Sequence, residues 1–400
     1  MNQSTVSTKI VLRNDAVIYD PQLAGEIISP EKHIFLRCNG DVVTITPLMK
    51  DILEQARTPQ TKEELAAWLS IQQHCPYDKI YPSVETFLRR MMKFGAVVKE
   101  QDSAPPDANI FDKIDQAKKI DDFILSDLIG KNRSVAIYKC HREGIPVQLF
   151  SMKVLIANES KKDFFKEADI LTSMPYHPNV RRCFKSAVSQ DNVPYLLLDY
   201  VDGSSISDSL IKRETPLHIK YRIASEVMSG IEHLHKHHVL HGDIHASNFL
   251  VDPDHHVHLI DLGMAFYENE DTHHGGIPRY MPPERMPDHS YSFSKMKGDY
   301  VSEVFQVGIC LYLLMSGSYP FDGLLLKDLA KAIKNELPAP LTETSMHEPI
   351  PTEISDVIFK AMAKDRNDRY QSVGEMLHEW NKITNNLKNG FAILQPVHGR

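Results

Sequence analysis

Cysteine is scarce and scattered in this chain: five in 400 residues, Cys38, Cys75, Cys140, Cys183 and Cys310, with no C-x-x-C pair. An odd, dispersed set argues against a disulfide framework and a structural zinc site, and points to a reducing compartment. Long apolar runs are missing as well. The longest, residues 304–315, contains Gln306 and is too short to span a bilayer. The N-terminus is polar and has no signal-peptide core, so a cytoplasmic location is expected. Nor is there a large excess of charge. A net charge of −8 gives no general attraction to nucleic acid or an anionic membrane. What remains, 42% hydrophobic and 24% charged, is an ordinary globular composition, with length for two or three domains.

The most informative stretch is residues 241–263. It reads His-Gly-Asp-Ile-His-Ala-Ser-Asn, then a short strand with Val257 and Leu259, then Ile260-Asp261-Leu262-Gly263. Taken alone it could be a polar turn followed by a strand. Phosphoryl transfer from ATP, however, needs one carboxylate to orient the acceptor hydroxyl, and an amide plus a second carboxylate to hold magnesium. Asp243, Asn248 and Asp261 supply that set, and a strand between the last two would fix their separation. The pattern resembles the catalytic loop and magnesium-binding motif of the protein-kinase superfamily.

The remainder of residues 111–388 follows the order of that family. Phe123-Ile124-Leu125 and Leu128-Ile129-Gly130 read as a first strand, and residues 135–139 as its return. The family's G-x-G-x-x-G loop is met only by Gly130, with Asn132 and Val135 at the other two places. Glycines there let backbone N–H groups approach phosphates, so their loss weakens the usual grip, and Lys131 or Arg133 stand near enough to substitute. Residues 147–155 resemble the V-A-I-K strand. Lys153, in an otherwise apolar strand, requires a partner, because a buried unpaired ammonium is costly. The resemblance supplies Glu167 on an amphipathic helix over residues 161–173, with Asp169 the lesser candidate. His177-Pro178-Asn179-Val180 resembles the family turn after that helix. Residues 195–203 match the fifth strand and hinge; Leu198 would gate the adenine pocket, and backbone groups of Asp199 and Val201 would bond the adenine edge. A long helix is expected over residues 217–238.

Past Gly263, the segment 276–284 resembles the end of an activation segment, and 302–308 the start of the large central helix, with Glu303 for the usual aspartate. Arg369 is the implied ion-pair partner of Glu284. Small-molecule kinases lack this second half, so a protein or peptide substrate is implied. Three departures bear on mechanism. Gly242 replaces the catalytic-loop arginine that reads a phosphorylated activation loop. His245, assigned here to the catalytic set, stands where Ser/Thr kinases carry lysine, and H-G-D-x-H-x-x-N is closer to aminoglycoside and choline phosphotransferases. Ile277 replaces the threonine that marks Ser/Thr specificity. Histidines crowd this region, but most fall on turns and a solvent face without metal-site spacing.

Residues 1–100 read differently. Short strands (10–12, 17–19, 33–36, 42–45) surround Asn39-Gly40, a strong hairpin signal. Helical spacing follows at Leu48, Ile52, Leu53 and Ala56. A second helix opens on the capping box Thr61/Glu64, a third runs from Ser83 to Gly95, and Val97-Val98 close with a strand. Residues 42–99 resemble the PqqD-like winged helix, which in its family grips an extended leader peptide by strand addition. Winged helices also bind DNA, but twelve Lys plus Arg balance twelve Asp plus Glu here, and only Arg89, Arg90 and Lys93 cluster. A third possibility is a domain that merely packs on its neighbour.

The expected architecture is α+β: an N-terminal winged helix (1–100), a polar linker (101–110), a bilobal kinase fold (111–388) and a tail (389–400). The expected activity is Ser/Thr-type phosphotransfer with ATP and Mg2+ on a protein or peptide. The alternatives are a nucleotide-holding pseudokinase scaffold and a small-molecule phosphotransferase. No nucleic-acid or membrane partner is expected.

Overall fold

The computed structural model describes residues 10–12, 17–19, 34–38, 41–45, 47–73, 75–94, 96–99, 110–132, 134–156, 160–208, 214–268, 270, 277–286, 298–323 and 326–393. The linker at 101–109, Arg133 and Thr272 lie outside the described residues. The chain divides into two compact units, the second beginning at Ile114.

In the first unit β1 (Ile10–Leu12) pairs antiparallel with β5 (Val97–Lys99). A separate sheet runs β2 (Val17–Tyr19), β3 (Ile34–Cys38), β4 (Asp41–Ile45), with Cys38 opposite Asp41, the pairing that the Asn39-Gly40 signal demands. Helix α1 (Pro47–Gln55) is followed by α2 (Lys62–Gln72). The capping box of α2 is formed: Thr61 Oγ1 accepts from the Glu64 N–H, and Glu64 accepts from the Thr61 N–H at 2.7 Å. Helix α3 (Tyr77–Phe94) starts well before Ser83, so Pro82 sits inside it and withholds one helical N–H. The 3.6-residue repeat of α1–α3 turns Ile52, Leu53, Leu65, Leu69, Val84, Leu88 and Met91 into one buried cluster with Leu12 and Val97. Among the described residues of this unit there are thus three helices and two small sheets, and no wing is established.

The second unit opens its sheet with β6 (Lys119–Ile120). It continues through β7 (Phe123–Lys131), β8 (Val135–Arg142), β9 (Ile145–Leu155), β10 (Cys183–Val188) and β11 (Pro194–Asp199), in the order β10-β11-β9-β8-β7-β6. The two segments expected as a first strand form one strand, β7, with register shifts at Leu125/Leu128 and Leu128/Gly130. Helix α5 (Lys161–Ser173), N-capped by Ser160, has the expected bounds and packs on β10 and β11; the intervening helix α4 (Ile110–Ala117) spans the division between the units. Ala168, Leu196 and Leu198 make the small core beneath α5, each leucine contributing about 1.5–3 kcal/mol by burial.

A helical region follows: α6 (Leu217–Lys236), α7 (Tyr300–Ser316), α8 (Leu326–Asn335), α9 (Thr352–Ala361) and α10 (Val373–Ile393). Helix α6 ends two residues earlier than expected, where its C-cap His237 is followed by His238 at φ +59°. Helix α7 is apolar on nearly every face and is buried accordingly, with α6, α9 and α10 packed on it. Between α6 and α7 lie β13 (Val239–Leu240), the hairpin β14 (Phe249–Val251) and β15 (Val257–Leu259), and β16 (Phe266–Tyr267). The β14–β15 hairpin also pairs with β12 (Ser204–Ser205). A β-sheet region followed by a helical lobe is the kinase fold. No described helix is long and apolar enough to cross a membrane.

Candidate active site

Lys153 sits on the buried half of β9, where Met152 and Val154 flank it, and only 7% of it is exposed. Its ammonium finds two carboxylates. Lys153 Nζ donates to Glu167 Oε2 at 2.6 Å and to Asp261 Oδ1 at 2.7 Å. Glu167 comes from the inward face of α5, while Asp169 is solvent-facing. Burial alone would pull the Lys153 ammonium down; Glu167 and Asp261 outweigh it and raise it above its usual value. For Asp261, burial pushes upward, but Lys153, then Arg181 and His241, hold its carboxyl at about 2. Asp261 is nevertheless the open member of the triad, with its side chain 53% exposed. Its backbone lies at φ +61°, a conformation Asp tolerates better than most residues.

The catalytic-loop residues are braced through their own backbone. Asp243 N–H donates to His241 Nδ1 at 3.3 Å, and Asn248 Nδ2 donates to the Asp243 carbonyl at 3.0 Å. The Ile260 N–H donates to the Asn248 carbonyl at 2.8 Å, tying this loop directly to the residue before Asp261. Behind it, Glu303 accepts from the Gly242 N–H at 2.8 Å and bonds His235 Nε2 at 2.8 Å, so glutamate fills the place of the usual aspartate. His245 Nε2 stands 3.6 Å from Asp243 Oδ2, beyond a direct hydrogen bond.

Asp261 and the side-chain oxygen of Asn248 are hard oxygen donors of the kind Mg2+ takes. Gly263 lets the chain pass close to the triad: a Cβ there would lie 3.2 Å from Asp261 Oδ1 and 3.5 Å from Lys153 Nζ. Toward the hinge, Leu198 is fully buried on β11, two residues along from Leu196, which pairs with Lys153. The Asp199 carboxylate is held by Arg182 at 3.1 and 3.3 Å, and its N–H donates to the Arg182 carbonyl. Val201 is half-buried just past the strand end.

The β7–β8 turn departs furthest from a phosphate cradle. Asn132 Oδ1 accepts the N–H groups of both Ser134 and Val135 at 2.8 Å. Gly130 pairs with Ile137, and a Cβ there would meet only ordinary contacts at 3.6 Å and beyond. The missing glycines are therefore replaced by a turn in which the Ser134 and Val135 N–H groups are already bonded to Asn132.

A cavity of about 410 Å³ is lined by Tyr176, Arg182, Asp199, Val201, Asp252 and His258 among others. It contains none of Lys153, Asp243, Asn248 or Asp261, and the chemistry identifies the site better than the volume does. Among the described residues no group of three or more His, Cys, Asp or Glu could hold a metal ion on its own. Sequence reasoning passed over Arg181, which is buried immediately behind the triad.

The sheet, the helical lobe and the Lys153–Glu167–Asp261 triad define a protein kinase. The protein kinase domain model matches residues 123–381, and the chain belongs to that family. A probable serine/threonine-protein kinase of Clostridium perfringens is 28% identical over 269 residues, 65% of this chain and 38% of that one. The serine/threonine-protein kinase PrkC of Bacillus subtilis is 28% identical over 227 residues, 55% of this chain and 33% of its own length. The serine/threonine-protein kinase AtPK1/AtPK6 of Arabidopsis thaliana is 28% identical over 237 residues, 57% and 49% respectively. The chain thus spans between a third and a half of the length of these relatives. The family implies ATP, Mg2+ and protein substrates.

Proposed function

We propose that this chain is an active Ser/Thr-type protein or peptide kinase whose N-terminal unit recruits the substrate. The observation that carries the catalytic half is the placement of Lys153 between Glu167 and Asp261 at 2.6 and 2.7 Å. Lys153, held by Glu167, binds the α- and β-phosphates. Asn248 and Asp261 hold the metal, which when bound neutralises charge on the transferring phosphoryl group. Asp243 accepts the proton of the acceptor hydroxyl, and His245 stands beside its carboxylate at 3.6 Å without a hydrogen bond to it. Leu198 and the backbone of Asp199 and Val201 line the adenine subsite, with Gly130 above the phosphates. Positioning and electrostatics then supply most of the rate.

The N-terminal unit is read as a PqqD-like winged helix. Its charge balance removes the counterion-release term that drives DNA affinity. Among the described residues β2 and β4 are the edges of its sheet, and an edge strand can take an extended peptide. The full lower lobe and the Ser/Thr-kinase relatives favour a polypeptide acceptor over a small metabolite.

One observation favours a second reading. The turn closed by Asn132 offers no free N–H from Ser134 or Val135, which suits a weakly nucleotide-binding pseudokinase. Turnover separates the two. Magnesium-dependent transfer of labelled phosphate from ATP into a polypeptide is expected from the intact chain. Lys153→Met and Asp261→Asn should each lower it at least about a hundredfold while leaving the circular-dichroism spectrum unchanged. Transfer within tenfold of wild type in both variants would refute the assignment.

A further inference from the structure

Arg181 follows the turn at His177-Pro178-Asn179, and that turn is stitched to β15. The Leu259 N–H donates to the Asn179 carbonyl at 2.8 Å, Arg181 N–H donates to the Leu259 carbonyl at 3.1 Å, and Val180 forms a parallel bridge with Leu259. Two residues beyond Leu259 is Asp261. The backbone of Arg181 is therefore held next to the strand end that leads into Asp261.

It is only 6% exposed, and among the described residues its Nε has no hydrogen-bond partner. Glu167, only 2% exposed, uses Oε2 for Lys153 and leaves Oε1 equally unpartnered. Glu167 and Asp261 are the carboxylates that act most strongly on the Arg181 guanidinium, against the downward pull of its burial. A guanidinium keeps its proton even when buried. The site thus holds two carboxylates and two cations, where Lys153 alone would leave one negative charge in excess.

We propose that Arg181 is a positioning residue of this kinase: a second buried cation that balances Glu167 and Asp261 as Lys153 turns to the phosphates, and so sets how tightly the site takes Mg2+. The inference rests on the reading of Asn248 and Asp261 as metal ligands. A kinase site with Lys153 as its sole cation meets the metal with net negative charge. With Arg181 in place the same donors meet it neutral, so affinity for Mg2+ is lower and less easily saturated. The cost of burying an incompletely paired guanidinium is what such a role must justify.

The test is a magnesium titration of thermal stability in the full chain, at saturating non-hydrolysable ATP analogue. Arg181→Met removes the charge and keeps much of the volume. Its midpoint for Mg2+ should fall by roughly tenfold relative to wild type, as removal of a nearby buried positive charge requires. Arg181→Lys keeps the charge and should stay within about twofold of wild type on the same electrostatic ground. Melting in EDTA reports whether each variant is folded before metal is added. A midpoint for Arg181→Met within twofold of wild type would overturn the proposal and leave Arg181 a packing residue. Equal shifts in the Met and Lys variants would overturn it too, since charge would then not be the cause. A wild-type chain with no magnesium-dependent shift would instead remove the metal reading beneath the proposal, and the proposal with it.

Discussion

Arg369 clasps Glu284 with both arms of its guanidinium: Nη1 donates to Oε1 at 3.0 Å and Nη2 to Oε2 at 2.8 Å, with the arginine side chain wholly buried. The pair joins the end of the activation segment to the loop before α10, and the carbonyls of Ala363, Val301 and Lys364 accept from the same guanidinium. Glu284→Ala leaves that cation buried without its carboxylate. Its expected cost is about 3–5 kcal/mol, toward the lower end because the carbonyls remain. Urea unfolding measures it. The double variant Glu284→Leu with Arg369→Met should cost less than Glu284→Ala alone, and strictly additive losses would deny the coupling.

Activity should not depend on phosphorylation between Asp261 and Glu284. Thr272 is the sole Ser or Thr there. Gly242, where an arginine would read such a phosphate, lies at φ +79°, and a Cβ would come within 2.3 Å of the Met264 carbonyl oxygen. The absence of that arginine is thus built into the backbone. Thr272→Ala and phosphatase treatment should each leave the rate within about twofold, since neither removes a charge pair the catalytic loop uses. Loss of activity on either treatment would show that another cation reads the loop.

The Lys153–Asp261 contact should show itself in acid. With the Asp261 carboxyl held at about 2 in the folded chain, against about 3.9 when unfolded, its contribution is complete above the unfolded value. It is lost as pH falls from about 4 toward 2. The melting-temperature gap between wild type and Asp261→Asn should therefore be constant from pH 7 to 5 and close below pH 4. A gap that closes between pH 7 and 6 would assign the contact to a different titrating group.

Removing the N-terminal unit should act on substrate, not on chemistry. A chain of residues 110–400 should keep its basal ATP hydrolysis within about twofold while KM for the native polypeptide rises at least about tenfold, the pattern of lost substrate binding. Equal loss of ATP hydrolysis and thermal stability would show a bracing role instead. Tight, salt-sensitive duplex binding by the N-terminal unit would point to DNA.

Periodicity made much of this fold legible. The α5 bounds followed from an amphipathic apolar stripe over residues 161–173, and the α2 capping box from Thr61 and Glu64 alone. The order of Lys153, Glu167, Asp243, Asn248 and Asp261 was legible because each sits in a local motif. The start of α3 was not, because Pro82 reads as a boundary while packing carries the helix back to Tyr77. Arg181 was illegible for a different reason. Burial there comes from β15, some eighty residues away in sequence, and nothing in the residues around Arg181 announces it. The role of Asn132 also escaped, since a substituted glycine tells of a lost donor path and not of the side chain that closes the turn.

The closed turn at Asn132 changes what a nucleotide can gain by carrying phosphates. In a glycine-rich loop the affinity of ATP over adenosine grows with each N–H that reaches an oxygen. Here Ser134 and Val135 have none to give without first breaking a bond to Asn132. Adenosine and ATP should therefore compete for this cleft on more nearly equal terms than in a glycine-looped kinase. Compounds that fill the adenine subsite and reach Lys153 should face weak opposition from cellular ATP.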